Sequence, residues 1–192
     1  MKCTNRINLS YKGKLDAYYE MSDAFYLPIK DSELVGNPAV SGGVSIKEYC
    51  SKDCGVSNVN NHSGVVVFDY HGVSVIIPGD NEPPSWRSLM EQSDFKSVMK
   101  KASVFMASHH GRKSGYCADI FESKPDLCIV SDGRSQDTDA TSRYSYHATG
   151  WNVRQRSNNR KEKRYCVTTR SDGPVRLEIG KDTQPYLIAE ID

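Results

Sequence analysis

The sequence predicts a mixed α/β fold, and three observations carry the prediction. Apolar strand-like runs and helix-like stretches alternate from Val73 to Asp132, the pattern of strands joined by crossover helices. The runs VVVFDY and VSVII are β-branched and aromatic, which suits a pleated, buried surface. The chain has 192 residues, enough for one sizeable core.

Composition narrows the class further. Hydrophobic residues make up 38% and charged residues 26%, which is globular rather than disordered. A formal net charge of +1 removes any whole-molecule electrostatic attraction to nucleic acid or anionic membrane. No apolar run approaches the roughly 20 residues of a bilayer span. The first residues, MKCTNRINLSYKGKLDAYYE, lack a signal-peptide core. A cytoplasmic location without membrane association is expected. Cys50 and Cys54 lie close, but no second pair completes a zinc-ribbon spacing. The six cysteines read as reduced thiols packed as small apolar groups.

In chain order, INLSYKG reads as a strand, and AFYLPIKDSELVG as an extended connection because Pro28 breaks any helix. Residues 36–45 read as a loop, and VSIKEYCSKDCG as a short helix or turn. VVVFDY and VSVIIPG read as a hairpin turning at His71–Gly72, with Asp80 just past the end. Residues 83–101 read as a helix, with Pro83 and Pro84 in the first turn, Ser85 as a cap and a break near Ser93–Asp94. SVFMAS is a buried strand, GYCADIFES a short helix, and DLCIVSDG a further strand. Residues 133–149 are polar and read as a long loop, of the kind that carries function. GWNVRQRS is a strand and SNNRKEKR a charged turn. RYCVTTRSDGPVRLEIG reads as a closing hairpin turning at Ser171–Asp172–Gly173, before a tail that is a last strand or frayed. Two organisational segments are expected, 1–55 as a connecting segment and 56–192 as the main body of the same fold.

The chemistry-bearing residues cluster at strand ends. Asp80 follows one buried strand, and His109 and His110 follow another, with Gly111 allowing a sharp turn. His147 lies in the polar stretch. Hydrolytic metal sites need such ligands converging from separate strand ends. Each residue also has a plain structural reading. Asp80 suits a turn or a helix cap, the histidine pair suits structural hydrogen bonding, and His147 suits an exposed loop. His62 and His71 sit in turns and read as structural. The basic run Arg154, Arg156, Arg160, Lys161, Lys163 and Arg164, flanked by Trp151 and Tyr165, reads either as a solvated hairpin or as a nucleic-acid contact.

An ordered set of segments carries a resemblance: Asn61-His-Ser63, VVVFDYHGVSVIIPGD, ASHHGRKSGY, KPDLCIVSDG, Tyr144-Ser-Tyr-His147 and TTRSDGPVRLEI. Together they resemble the second half of a metallo-β-lactamase-fold hydrolase, in the branch related to the competence protein ComEC. The resemblance spans roughly residues 56–180. It implies an αββα sandwich of which this chain holds the C-terminal half and part of the first. It implies Asp80 bridging two metals, His109 or His110 as a ligand of one (His109 favoured) and His147 serving the other. Asp80 and His109 would then be the catalytic centre. The cofactor implied is a divalent metal, one or two zinc ions or manganese. Arg112 and Ser114 would meet an anionic substrate, and Asn81 and Glu82 would support the ligands. Phosphodiesters, as nucleic acid or nucleotides, are the implied substrates. The sequence departs from the family in two ways. Tyr146 and Ala148 replace the glycine and proline that flank the late histidine, and the His-x-His-x-Asp-His motif is absent. The expectation is therefore a fragment needing a second chain to supply the N-terminal half, or a non-catalytic module that assembles with a partner.

Overall fold

The computed structural model describes residues 41–54, 57–133 and 140–192. The expected strand INLSYKG and the connection from Ala24 to Gly36 lie outside these residues. Among the described residues the chain is mixed α/β, with two sheets and four α-helices.

The first sheet has the order β1 (Ser45–Tyr49), β2 (Val65–Tyr70), β3 (Val73–Ile77), β4 (Val104–Met106), β5 (Leu127–Val130), β8 (Cys166–Thr168). Strands β1 to β3 are antiparallel, and β3, β4, β5 and β8 run parallel. The expected hairpin forms at His71 (φ 52°) and Gly72 (φ 87°), where both central residues take the left-handed region that a tight hairpin turn demands.

Strand register sorts the apolar residues onto two faces. Val75, Val104 and Leu127 are partners across β3, β4 and β5, and Ile129 faces Val167. These pack with Val153, Leu187, Ala189 and Ile191 of the second sheet. The next positions, Ile76, Phe105, Cys128 and Cys166, are in register on the other face. They pack against helices α1 (Pro83–Met90), α2 (Ser93–Met99) and α3 (Ala140–Ser145) through Trp86, Leu89, Phe95, Met99 and Tyr144. Helices thus cover one face of the first sheet and the second sheet covers the other, which is why β5 is buried at all four positions.

The second sheet has the order β7 (Lys161–Arg164), β6 (Trp151–Gln155), β10 (Pro185–Ile191), β9 (Arg176–Lys181). Several elements differ from the sequence expectation, each because of a distant partner. SIKEY is strand β1, at the edge of the sheet among the described residues and paired along its length with β2, with Tyr49 closing on Phe95 at 5.1 Å. Residues 140–145 of the polar stretch are helix α3, which buries Ala140 and Tyr144. KEKR is strand β7, not a turn. RYCVTT does not pair with VRLEI. Cys166–Thr168 joins the first sheet beside β5, α4 (Thr169–Asp172) follows with Thr168 as its cap, and β9 pairs with the tail β10. GYCADIFES is not an α-helix: it begins on the last residue of a 3-10 turn at Lys113–Gly115 and holds another at Ala118–Ile120. The break between α1 and α2 falls at Glu91–Gln92, just before its expected place.

Cys54, Cys117, Cys128 and Cys166 are free thiols, and burial pushes the Cys166 thiol up to about 12. Cys50, by contrast, is disulfide-bonded. No helix among the described residues is long and apolar enough to cross a membrane.

Candidate functional site

Because β3 and β4 are parallel neighbours, their C-terminal extensions reach the same rim of the sheet. The backbone N–H of His109 donates to Gly79 O (3.0 Å), and Ser108 Oγ donates to Asn81 O (2.5 Å). The loop ahead of β2 clamps the segment from the other side. Ser63 Oγ accepts from the Asp80 N–H (3.1 Å), and Asn61 Oδ1 accepts from the Glu82 N–H (3.1 Å). Asn81 is fully buried and donates its amide to Pro78 O (2.6 Å) and Ser63 O (3.1 Å). Asn81 is thus a structural peg of the rim.

The turn after β4 is strained. His109 (φ 50°), His110 (φ 54°) and Gly111 (φ 76°) take three successive left-handed conformations. Two of these are non-glycine residues, each held there at a cost of about 1–3 kcal/mol. The strain sends the two imidazoles to different carboxylates.

His109 pairs with Glu82 and His110 with Asp80. Nδ1 of His109 lies 3.3 Å from Glu82 Oε1 and 3.2 Å from Ser114 Oγ, and Arg112 Nη1 lies 3.3 Å from Nε2. A guanidinium only donates, so Nε2 holds the lone pair and Nδ1 holds the hydrogen. Glu82 is itself fixed by Asn58 Nδ2 (2.7 Å) and Asn60 Nδ2 (3.1 Å). A carboxylate behind a histidine sets its tautomer and ring orientation. His110 Nδ1–H donates to Ser131 O (2.8 Å). When the ring is neutral, its Nε2 lone pair then faces Asp80 Oδ1 at 3.8 Å. Both groups are open to solvent, with side chains 59% and 43% exposed.

His147 lies elsewhere. Thr149, two residues on, donates its N–H to Pro125 O, ahead of the start of β5, whereas Asp80 and the histidine pair follow strand ends. The His147 ring stacks on Phe121 (centroids 4.3 Å apart, 13° between planes), and its Nε2 lies 2.6 Å from the Tyr116 hydroxyl. Burial, then the nearby Lys124 cation, holds its pKa below the ordinary histidine value. This has a signed consequence. The folded state favours neutral His147, so below pH 6.5 the unfolded chain takes up the proton first. Stability falls from there to the folded pKa, and this residue's share is constant at lower pH. Urea midpoints should therefore drop for wild type relative to His147→Gln as pH falls through this window. A pH-independent difference would exclude the assignment.

The rim's donor chemistry suits a divalent ion only in part. Donor atoms about 2.1 Å from a tetrahedral zinc lie about 3.4 Å apart, and the Asp80–His110 gap of 3.8 Å is close to that edge. Among the described residues no group of three or more His, Cys, Asp or Glu side chains is placed to hold a metal. The described residues thus fit two coordination positions and not a complete shell. Asn58, Asn60 and Ser131, which fix Glu82 and His110, were not anticipated from sequence. Their signal was the asparagine-rich run NVNN ahead of β2, and for Ser131 only the end of a strand.

Fold and rim together define a mixed α/β protein with a polar His/carboxylate rim at the ends of two parallel strands. No protein-family model, no curated protein and no solved structure matches the chain.

Proposed function

We propose that this chain is part of a metal-dependent hydrolase of metallo-β-lactamase-like αββα architecture, acting on phosphodiesters of nucleic acid or nucleotides. The observation that carries the reading is the Asp80–His110 pair, two lone-pair donors facing each other at 3.8 Å on an exposed rim. His110, rather than His109, is the metal-facing imidazole in this reading, and His147 takes no part at the rim. Further ligands come from a second polypeptide that supplies the N-terminal half of the fold. A bound zinc or manganese ion would supply Lewis acidity and a water of lowered pKa. The chain's own residues do the positioning. Ser131 orients His110, Ser63 holds the Asp80 backbone, and the Arg112 guanidinium beside His109 offers an anion contact.

The test is metal content by mass spectrometry after equilibration with zinc or manganese. Wild type should retain one or two ions per chain, and Asp80→Ala and His110→Ala should each lower the affinity by about tenfold or more. Wild type that retains none would end the hydrolase reading for this chain.

One observation favours a second reading, a non-catalytic module that assembles with a partner. Every ring nitrogen of His109 is already engaged, by Glu82, Ser114 and Arg112. A chain without metal that forms a stoichiometric complex with another polypeptide would support it.

A further inference from the structure

The outer face of the second sheet carries a groove remote in the fold from the His/carboxylate rim. Across β6 and β7, Arg154 faces Lys161 and Asn152 faces Lys163. Directly opposed residues share a face, so the three cations lie together. Val153, between them in sequence, points the other way into the core between the sheets. Gly150, Trp151, Leu187 and Ile188 join them in lining a groove of about 400 Å³.

The charges on this face are unequally balanced. Glu190 is 4% exposed and is held by both Arg154 and Arg176, so its charge is already answered. Lys161 and Lys163 are exposed and have no carboxylate partner among the described residues. Like charges set opposite each other on a ribbon repel, and Lys161 faces Arg154. Edge-strand lysines discourage pairing with other sheets, but that role needs no groove and no aromatic flank. Here the base of Trp151, whose ring packs with Val153 against the core between the sheets, forms part of the groove wall. Tyr165 is 43% exposed, with the Lys163 ammonium 5.4 Å from its ring centre. Gly150 (φ 93°) makes this possible, since a Cβ there would meet Lys163 Cε at 2.5 Å and Tyr165 Cε1 at 2.9 Å.

The geometry points to a binding face for single-stranded nucleic acid, built by β6, β7 and β10. Lys161 and Lys163, two residues apart on one strand, stand about 6.7 Å apart, a repeat that suits neighbouring phosphates of an extended strand. Tyr165 supplies a flat surface on which a base stacks, and stacking tolerates any base. The face is independent of the metal reading and holds whether or not the rim binds an ion.

The experiment is fluorescence anisotropy of a labelled oligothymidylate of about 15 nucleotides with the full chain, over roughly 50 to 200 mM salt. Three phosphate contacts predict a log–log salt slope of about −2, from about −0.7 per phosphate on a single strand. Lys161→Gln/Lys163→Gln should weaken binding about tenfold or more and reduce the slope by about 1.4. Tyr165→Ser should weaken binding with the slope unchanged. The inference is overturned if the double lysine variant binds like wild type, or if the loss follows Arg112→Gln instead. It is also overturned if the chain binds phosphatidylglycerol vesicles but not the oligonucleotide.

Discussion

Trp86→Ala is expected to lower the unfolding free energy by about 3–5 kcal/mol, the range for removing a large aromatic from a closed core. Trp86 is fully buried. Its ring lies 6.3 Å from Phe95 of α2 and 6.0 Å from Phe105 of β4, so it joins both helices of the connection to the sheet. Its Nε1–H donates to Gly115 O at 3.3 Å. Gly115 packs so closely beneath the histidine turn that a Cβ there would stand 2.7 Å from His109 Cβ. The substitution therefore removes core volume and frees the backbone that supports His109. Trp86→Phe separates the two effects. It keeps most of the volume but leaves the Gly115 carbonyl without its donor, at a cost of about 1–3 kcal/mol. Urea unfolding followed by circular dichroism measures both. A loss below about 2 kcal/mol for the alanine variant would mean that α1 settles into the space, and that Trp86 is not the anchor described.

Gly111→Ala is expected to cost about 2–5 kcal/mol and to dismantle the rim. The backbone part is about 1–2 kcal/mol, because φ is 76° and a Cβ opposes that conformation. The steric part is about 1–3 kcal/mol, because the new Cβ would stand 2.6 Å from Val130 Cγ1 and 2.7 Å from Ala140 Cβ. Neither neighbour is free to retreat, since Val130 is fully buried and Ala140 is 1% exposed. Relief must come from the turn itself, so His109 and His110 shift and the Asp80–His110 separation is lost. A Val130→Ala background removes one of the two clashes and none of the backbone cost. The glycine substitution should then be milder there by about 1 kcal/mol, a coupling that a double-mutant cycle reads directly. Equal costs in both backgrounds would place the whole effect in the backbone.

How much of the molecule was legible in the sequence depends on where each element finds its partners. The β2–β3 hairpin, the two-helix connection and the central strands were legible because their signals are local. These are β-branched runs, a His-Gly turn, prolines in a first turn and apolar spacing. Elements whose signal is weak were misread. KEKR is highly charged, and only its pairing with Trp151–Arg154 makes it a strand. CVT is too short to declare its sheet, and its place beside β5 comes from the match of Cys166 with Cys128 and Val167 with Ile129. The helix at Ala140–Ser145 sits in a polar stretch, and its buried Tyr144, against Phe105 and Phe121, has no periodic partner nearby in sequence.

The candidate site divides in the same way. Sequence alone determined that Asp80 and the His109–His110 pair end two buried strands, and parallel strands bring such ends together. It could not determine which imidazole meets which carboxylate. That choice rests on three left-handed residues in a row, on donors from Asn58, Asn60 and Arg112, and on the Ser131 carbonyl that accepts from His110. Nor could it determine that His147, which follows helix α3, lies with Tyr116 and Phe121 rather than at the rim. Residue type and local pattern set what a strand end can offer. The direction in which each side chain points is a property of backbone dihedrals and distant hydrogen bonds, and only the folded chain holds those.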